Sequence, residues 1–158
     1  MTRDIVIARG VDDVFAYLAD ARNDPQWCPK VLRTDLLAGE GPGPGARYGV
    51  THRPIPLRPA REMDHVCVAW TPPTRIEWRE DDGTDVIAVT YELEDLGGAT
   101  RVTQRSDAEL AAPAFLHPLM RLGIGHDIAR QLKTLKGKLE AQKQESAGVQ
   151  AHRSPTAS

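Results

Sequence analysis

Six β-type segments follow one another between residues 31 and 110, and a turn rich in glycine, proline or aspartate separates each from the next. Short segments rich in β-branched and aromatic residues and bounded by such turns predict β-strands. Strands joined by short turns lie antiparallel beside each other in a sheet. The predicted strands cover residues 31–40, 46–53, 60–70, 74–80, 84–96 and 100–110.

The two ends of the chain add another strand and the helices. Residues 4–8 are rich in β-branched side chains and predict a first strand. Residues 11–20 place apolar side chains at the i, i+3, i+4, i+7 spacing of an amphipathic helix. A long helical pattern runs from Ala114 to about Gln142. Residues 143–158 have no apolar period, and we expect them to form a flexible polar tail.

The segment ARNDPQWCPKV, residues 21–31, joins the first helix to the second strand. Pro25 and Pro29 are incompatible with a regular helix or a central strand, so we expect a second short and irregular helix. Trp27 lies between the two prolines. The sequence leaves two interpretations of this residue open, a core tryptophan that plugs one end of the sheet or a lid that stacks on a ligand.

This order of elements predicts an α+β fold in which a curved antiparallel sheet of about seven strands wraps around the long C-terminal helix. The apolar face of such a sheet must be covered, and the C-terminal helix is the only predicted element large enough to cover it. A gap where sheet and helix diverge is a natural ligand cavity. The length of 158 residues fits one domain, which we assign to residues 1–142.

Composition excludes several classes of function. The formal net charge of −2 gives no bulk attraction to nucleic acid or to an anionic membrane. Apolar runs are far shorter than the roughly 20 residues of a membrane span, and the N-terminus lacks a signal-peptide pattern. We therefore expect a cytoplasmic protein without nucleic-acid partners. The sequence does not distinguish a monomer from a homodimer.

Cysteine and histidine spacing gives no sign of a metal centre. Cys28 and Cys67 form no CxxC pair, and we expect two buried thiols, with a reactive Cys28 as the alternative. His117 and His126 are nine residues apart, which does not place them on the same face of a helix as metal ligands. No dinucleotide fingerprint or P-loop is present. We expect neither a metal nor a cofactor.

Several motifs, in their order along the chain, carry a family resemblance. They are VDDVFAYLADARNDPQWCPKV (11–31), GPGARY (43–48), VAWTPPTRIEW (68–78), YELEDLGGATRVTQ (91–104) and RQLKTLKGKLE (130–140). Together they resemble the SRPBCC (START-like, helix-grip) superfamily, and more narrowly its polyketide cyclase/dehydratase-like group, over residues 3–142. The resemblance implies the helix-grip fold, also called START/Bet v 1-like. It brings no invariant catalytic motif that can be placed on this sequence.

The same resemblance implies a hydrophobic small-molecule ligand, aromatic or polyketide-like, bound in an internal cavity. If the chain is an enzyme, cyclisation or dehydration of that ligand is the implied reaction. The alternative is a non-catalytic carrier or sensor of a lipid or another hydrophobic ligand. A third interpretation makes the proline-rich loop 54–59 a protein-interaction segment.

Alternation along the predicted strands nominates the residues that face the cavity. The parity of strand 60–70 is ambiguous, because Met63, His65 and Cys67 oppose a second set that includes Val66 and Trp70. The candidate ligand-binding residues are Trp27, Tyr48, Trp78, Gln104, Phe115 and Leu119.

His52 and Tyr91 are the candidate catalytic residues. A cyclase or dehydratase needs a base that removes a proton next to a carbonyl and a donor that stabilises the enolate oxygen. His52 is the candidate base and Tyr91 the candidate donor. Each also has a structural interpretation, since His52 borders the proline-rich loop and is then a solvated side chain, and Tyr91 is then a core residue.

Overall fold

The computed structural model describes residues 1–53, 59–109, 115 and 117–151. The elements begin and end close to the predicted positions, because glycine, proline and aspartate turns bound the strands. In chain order they are β1 (Thr2–Ile7), α1 (Val11–Ala19), a 3-10 helix (Ala21–Gln26), β2 (Val31–Ala38), β3 (Arg47–His52), β4 (Arg61–Thr71), β5 (Arg75–Asp81), β6 (Val86–Asp95), β7 (Thr100–Glu109) and α2 (His117–Ala151).

The seven strands form one antiparallel sheet in the order β1-β7-β6-β5-β4-β3-β2. Consecutive strands from β2 to β7 are neighbours, and β1 pairs with β7, so that β1 and β2 form the two edges. Helix α2 follows the last strand, and both short helices lie between β1 and β2. The predicted helix-grip fold is confirmed.

Helix α2 buries one apolar stripe in the same core as the inner face of the sheet. The stripe consists of Ile128, Leu132, Leu135 and Leu139, whose spacing follows the helical period. Polar side chains of α2 also bind the backbone near the end of β1. Lys136 donates to the Val6 carbonyl at 2.9 Å, and the Ala8 amide donates to the Glu140 carboxylate at 2.8 Å. These contacts hold the helix to the sheet edge.

The end of α2 differs from the expectation. The sequence predicts an end near Gln142, and the structure continues the helix through Ala151. A helix needs backbone hydrogen bonds rather than an apolar stripe, and the residues after Gln142 include several good helix formers. The first nine residues of the predicted polar tail are therefore helical. The domain boundary at residue 142 stays a prediction.

A β-bulge resolves the ambiguous parity of β4. Cys67 pairs with Trp78 of β5, but Ala69 pairs with the next residue of β5, so one extra residue is inserted into β4. Met63, His65 and Cys67 are buried. The extra residue shifts the alternation, and Trp70 then packs edge to face on Phe15 of α1 at 5.1 Å.

No helix in the described ranges is both long and apolar enough to cross a membrane. Residues 54–58 of the predicted proline-rich loop lie outside the described residues.

Candidate functional site

Three neighbouring strands bring Tyr48, His65 and Glu80 into one row on the inner face of the sheet. Tyr48 of β3 pairs with His65 of β4, and His65 pairs with Glu80 of β5. Side chains of directly paired residues lie on the same face of an antiparallel sheet. Since Tyr48 and His65 are buried, Glu80 also points towards the interior.

His65 and Glu80 are in direct contact inside the fold. Nδ1 of His65 lies 3.2 Å from Oε1 of Glu80. The carboxylate can only accept, so Nδ1 donates to it and Nε2 is the ring nitrogen that remains for another partner. Nε2 is buried and has no hydrogen-bond partner among the described residues. A buried polar atom without a partner costs about 1–3 kcal/mol, which a donor from a ligand would recover.

Aromatic rings fix the orientation of the His65 ring. The Trp78 ring centroid lies 4.3 Å from that of His65, and the Tyr48 ring lies edge-on to both at 5.8 Å from Trp78 and 6.4 Å from His65. The Tyr48 hydroxyl is also buried without a hydrogen-bond partner in the described part of the chain. Predicted ligand-binding residues Tyr48 and Trp78 therefore meet at one place, together with His65.

The 3-10 helix inserts Trp27 into the core. The Asp20 carboxylate caps the start of this helix by accepting from the Arg22 amide at 3.1 Å, and the Trp27 amide donates to the Asp24 carbonyl at its end. Only 3% of Trp27 is exposed, and its ring packs edge to face on Tyr91 at 6.4 Å. Trp27 and Tyr91 are thus brought together.

Asp24 lies one helical turn before Trp27 and is the most perturbed carboxyl near the site. Burial raises the pKa of Asp24 to about 7, the nearby His65 opposes this rise, and the Glu80 carboxylate adds to it. The Trp27 indole N–H lies close enough to lower this pKa slightly, although it makes no hydrogen bond of ordinary geometry. Asp24 therefore exchanges its proton near neutral pH.

Glu80 has the opposite protonation behaviour. Burial alone would raise the pKa of Glu80. The hydrogen bond from His65, together with the positive charge of His65 and His52 in the acidic range where a carboxyl titrates, outweighs burial, and the pKa is lowered. At neutral pH Glu80 is therefore ionised beside an Asp24 that holds its proton for part of the time. Two carboxyls with separated pKa values are the usual basis of acid and base roles.

The two candidate catalytic residues keep the protonation states that their proposed roles need. Burial lowers the pKa of the half-buried His52, so its ring is neutral and basic at pH 7. Burial, with the charge of Asp24 next in size, raises the pKa of Tyr91 well above its usual value, so this hydroxyl keeps its proton. Their roles as base and donor stay predictions.

The remaining candidate residues divide into two groups. Gln104 is buried beside Tyr91 in the β6–β7 register and donates to the Ser106 hydroxyl at 3.3 Å, while its amide oxygen lacks a partner among the described residues. Phe115 lies apart from this cluster, with 80% of its surface exposed. Leu119 belongs to α2, but its side chain lies outside the described side chains.

Sequence reasoning did not select Asp24, His65 or Glu80 for the site. Glu80 follows Trp78 by two positions in the same strand, so alternation was the signal that places it inward. His65 was hidden by the bulge, which makes the parity of β4 ambiguous. Asp24 belongs to an irregular 3-10 helix, where no periodic pattern shows which side chains turn inward.

In the part of the chain that the structure describes, no group of three or more histidine, cysteine, aspartate or glutamate side chains is arranged to hold a metal ion. Both cysteines are buried free thiols. Burial raises the pKa of Cys28 to about 11, so this thiol is protonated and unreactive at neutral pH.

Comparisons with known proteins agree with this architecture. The family model described as polyketide cyclase / dehydrase and lipid transport matches residues 1–140. No curated protein matches the chain. A START superfamily protein from Mycobacterium smegmatis is 15% identical with a TM-score of 0.68, and a protein from Thermus thermophilus is 18% identical with a TM-score of 0.73. Each comparison covers 90% of this chain and 97% of the other.

A third similar structure is the di-domain ARO/CYC StfQ from the steffimycin biosynthetic pathway. It is 13% identical with a TM-score of 0.66, and the comparison covers 91% of this chain and 46% of StfQ. This chain thus spans about half the length of that two-domain protein. At these identities the likeness concerns the fold.

Proposed function

The chain belongs to the polyketide cyclase / dehydrase and lipid transport family, and from this premise we propose that it binds a hydrophobic small molecule, aromatic or polyketide-like, between the sheet and α2. We assign this function to residues 1–142 of a cytoplasmic monomer or homodimer that has no nucleic-acid partner. The proposed ligand contacts come from the inner face of the sheet and from Trp27.

The observation that carries the proposal is a set of buried polar atoms on the inner face of the sheet that have no hydrogen-bond partner among the described residues. They include Nε2 of His65, the Tyr48 hydroxyl and the Gln104 amide oxygen. The aromatic rings of Tyr48 and Trp78 pack beside His65 on this face. An apolar surface with a few unsatisfied polar groups is typical of a small-molecule site.

Binding of the neutral aromatic probe N-phenyl-1-naphthylamine tests this proposal, because its fluorescence rises in an apolar environment. We expect saturable binding at one site per chain. Replacing Val89 on the inner face by Phe should weaken binding by filling the space, whereas Thr90→Phe on the outer face of the same strand serves as the control. Absence of saturable binding, or equal affinity in both variants, would contradict the proposal.

We further propose that His52 and Tyr91 act in a cyclisation or dehydration of the bound ligand, His52 as base and Tyr91 as hydrogen-bond donor. A neutral His52 and a protonated Tyr91 support these roles. A loss of about 100-fold in kcat for His52→Ala would match removal of a general base. Tyr91→Phe removes only the hydroxyl, and full turnover by both variants on the true substrate would refute the assignment.

A non-catalytic carrier is the second candidate, because the description of the matched family includes lipid transport. The two candidates differ in what leaves the protein. Native mass spectrometry of the purified chain, before and after incubation with its co-purified ligand, separates them. A carrier releases the ligand with its mass and its chromatographic retention unchanged. Dehydration lowers the mass by one water molecule, and cyclisation without loss of water changes the retention at constant mass.

A further inference from the structure

We propose that the His65–Glu80 pair binds a hydroxyl group of the ligand, a phenol or an enol, and that the Glu80 carboxylate excludes ligands that would place a carboxylate there. This inference rests on the proposed ligand-binding function and names the chemical class of ligand that this part of the interior selects.

The hydrogen-bonding capacity of His65 supports the first half of the inference. Nδ1 is engaged with Glu80 at 3.2 Å, so in the neutral ring only Nε2 remains, and it accepts rather than donates. His65 is 4% exposed, and Nε2 has no partner among the described residues. A ligand carbonyl or ether offers this nitrogen no proton, whereas a hydroxyl does. The Tyr48 ring lies edge-on to the His65 ring, and its hydroxyl is a second buried group without a partner among the described residues.

The pair is held in one geometry, as a recognition site requires. Direct pairing of β4 with β5 places His65 opposite Glu80, and the Trp78 ring packs on the imidazole at 4.3 Å. Glu80 therefore acts as a positioning residue, since its carboxylate keeps the Nδ1 proton in place and Nε2 free to accept. A hydroxyl group can take only a narrow range of positions against such a fixed acceptor.

The charges around the pair support the second half of the inference. Glu80 is ionised at neutral pH, and Asp24 adds partial negative charge. Two cationic side chains near the site already have a carboxylate partner. Lys30 contacts Asp127, and Arg22 contacts Asp20. A carboxylate from a ligand would be desolvated beside the Glu80 anion, and neither of these two cations is free to neutralise it, which is unfavourable.

Three naphthalene probes of similar shape test the inference by equilibrium dialysis against the full chain. 2-Naphthol carries the hydroxyl, 2-methylnaphthalene replaces it by a methyl group, and 2-naphthoate carries a carboxylate. We expect 2-naphthol to bind about tenfold more tightly than 2-methylnaphthalene, the ratio for a recovered buried hydrogen bond. We expect 2-naphthoate to bind more weakly than either.

Two variants separate the roles of the two residues. Glu80→Gln keeps the size of the side chain and an acceptor for Nδ1, and it should raise the affinity for 2-naphthoate about tenfold. Glu77→Gln, which changes a glutamate on the outer face of the same strand, should leave all three affinities unchanged. His65→Phe in the Glu80→Gln background leaves no unpaired buried charge and should abolish the preference for 2-naphthol.

The outcomes distinguish failure of the inference from failure of the proposed function. Equal binding of 2-naphthol and 2-methylnaphthalene to the wild-type protein would overturn the inference alone, as would a preference that survives His65→Phe. Failure of all three probes to bind would overturn the proposed function and the inference with it. If the double variant does not fold, the two single variants test the inference. Equal 2-naphthoate affinities of Glu80→Gln and Glu77→Gln would then overturn it.

Discussion

Asp24 and Glu80 show how two carboxyls in one interior acquire different protonation states. Both are subject to burial, which raises the pKa of a carboxyl. Glu80 receives a hydrogen bond from His65 that helps to offset burial, whereas His65 acts on Asp24 only through its charge and the Trp27 indole acts on it weakly. One direct partner therefore decides which carboxyl is ionised at neutral pH.

The raised pKa of Asp24 predicts a stability cost that grows with pH. The folded chain keeps a proton that the unfolded chain releases above its ordinary pKa of 3.8, so the fold loses stability as pH rises from about 4 to about 7. At 1.36 kcal/mol per pKa unit, the stability that the fold loses between pH 5 and pH 8 is about 3 kcal/mol. Asp24→Asn removes this loss. The free energy of unfolding of the variant minus that of wild type should therefore be larger at pH 8 than at pH 5 by about this amount.

Urea unfolding of both proteins at pH 5 and pH 8 measures that difference. Comparing the two proteins at each pH cancels the contribution of His52, whose lowered pKa acts in the opposite direction. Asp12→Asn, at an exposed position in the first turn of α1, controls for loss of one carboxylate. A stability difference between Asp24→Asn and wild type that does not change with pH would contradict the raised pKa.

Trp27 is expected to contribute strongly to stability because its ring is almost fully buried against Tyr91. Trp27→Ala should lower the free energy of unfolding by about 3 kcal/mol or more, as large-to-small changes of buried aromatic residues do. Trp27→Phe keeps an aromatic ring and should cost less. Thermal or urea unfolding provides the measurement. Unchanged stability with altered probe affinity would instead identify Trp27 as a ligand lid.

At the scale of elements, turn residues and helical spacing were sufficient to locate the strands and both ends of α1. The structure places β3, β5 and β7 within one or two residues of their predicted bounds. Two features were beyond such patterns. The bulge in β4 depends on its pairing with β5, which is a property of two strands. The continuation of α2 to Ala151 has no apolar period in the sequence from which it could be predicted.

Among substitutions in α2, we expect the largest loss of stability where a buried leucine packs in the core shared with the sheet. Leu135 is fully buried in the core cluster shared with the sheet, so Leu135→Ala should lower the free energy of unfolding by about 3 kcal/mol. Lys138→Ala, at an exposed position one turn later, should change it by less than about 0.5 kcal/mol. Equal effects in chemical denaturation would show that α2 does not close the core.

At the scale of the whole molecule, the fold was predictable and the chemistry of the interior was not. The number of strands, their antiparallel order and the long closing helix all follow from local patterns along the chain. The partners of a buried polar group come from distant segments, as His65, Glu80 and Asp24 do on β4, β5 and the 3-10 helix. No local pattern contains that information, and for this reason these residues emerged only from the structure.

The proposed function requires an aromatic ligand in the interior next to Trp27 and Trp78. Two-dimensional ¹H–¹⁵N NMR of the labelled chain during titration with 2-naphthol tests it most directly, with the indole signals assigned by single Trp→Phe variants. We expect the indole N–H signals of both residues to shift together and to saturate at one ligand per chain. Shifts confined to exposed positions, with both indole signals unchanged, would contradict it.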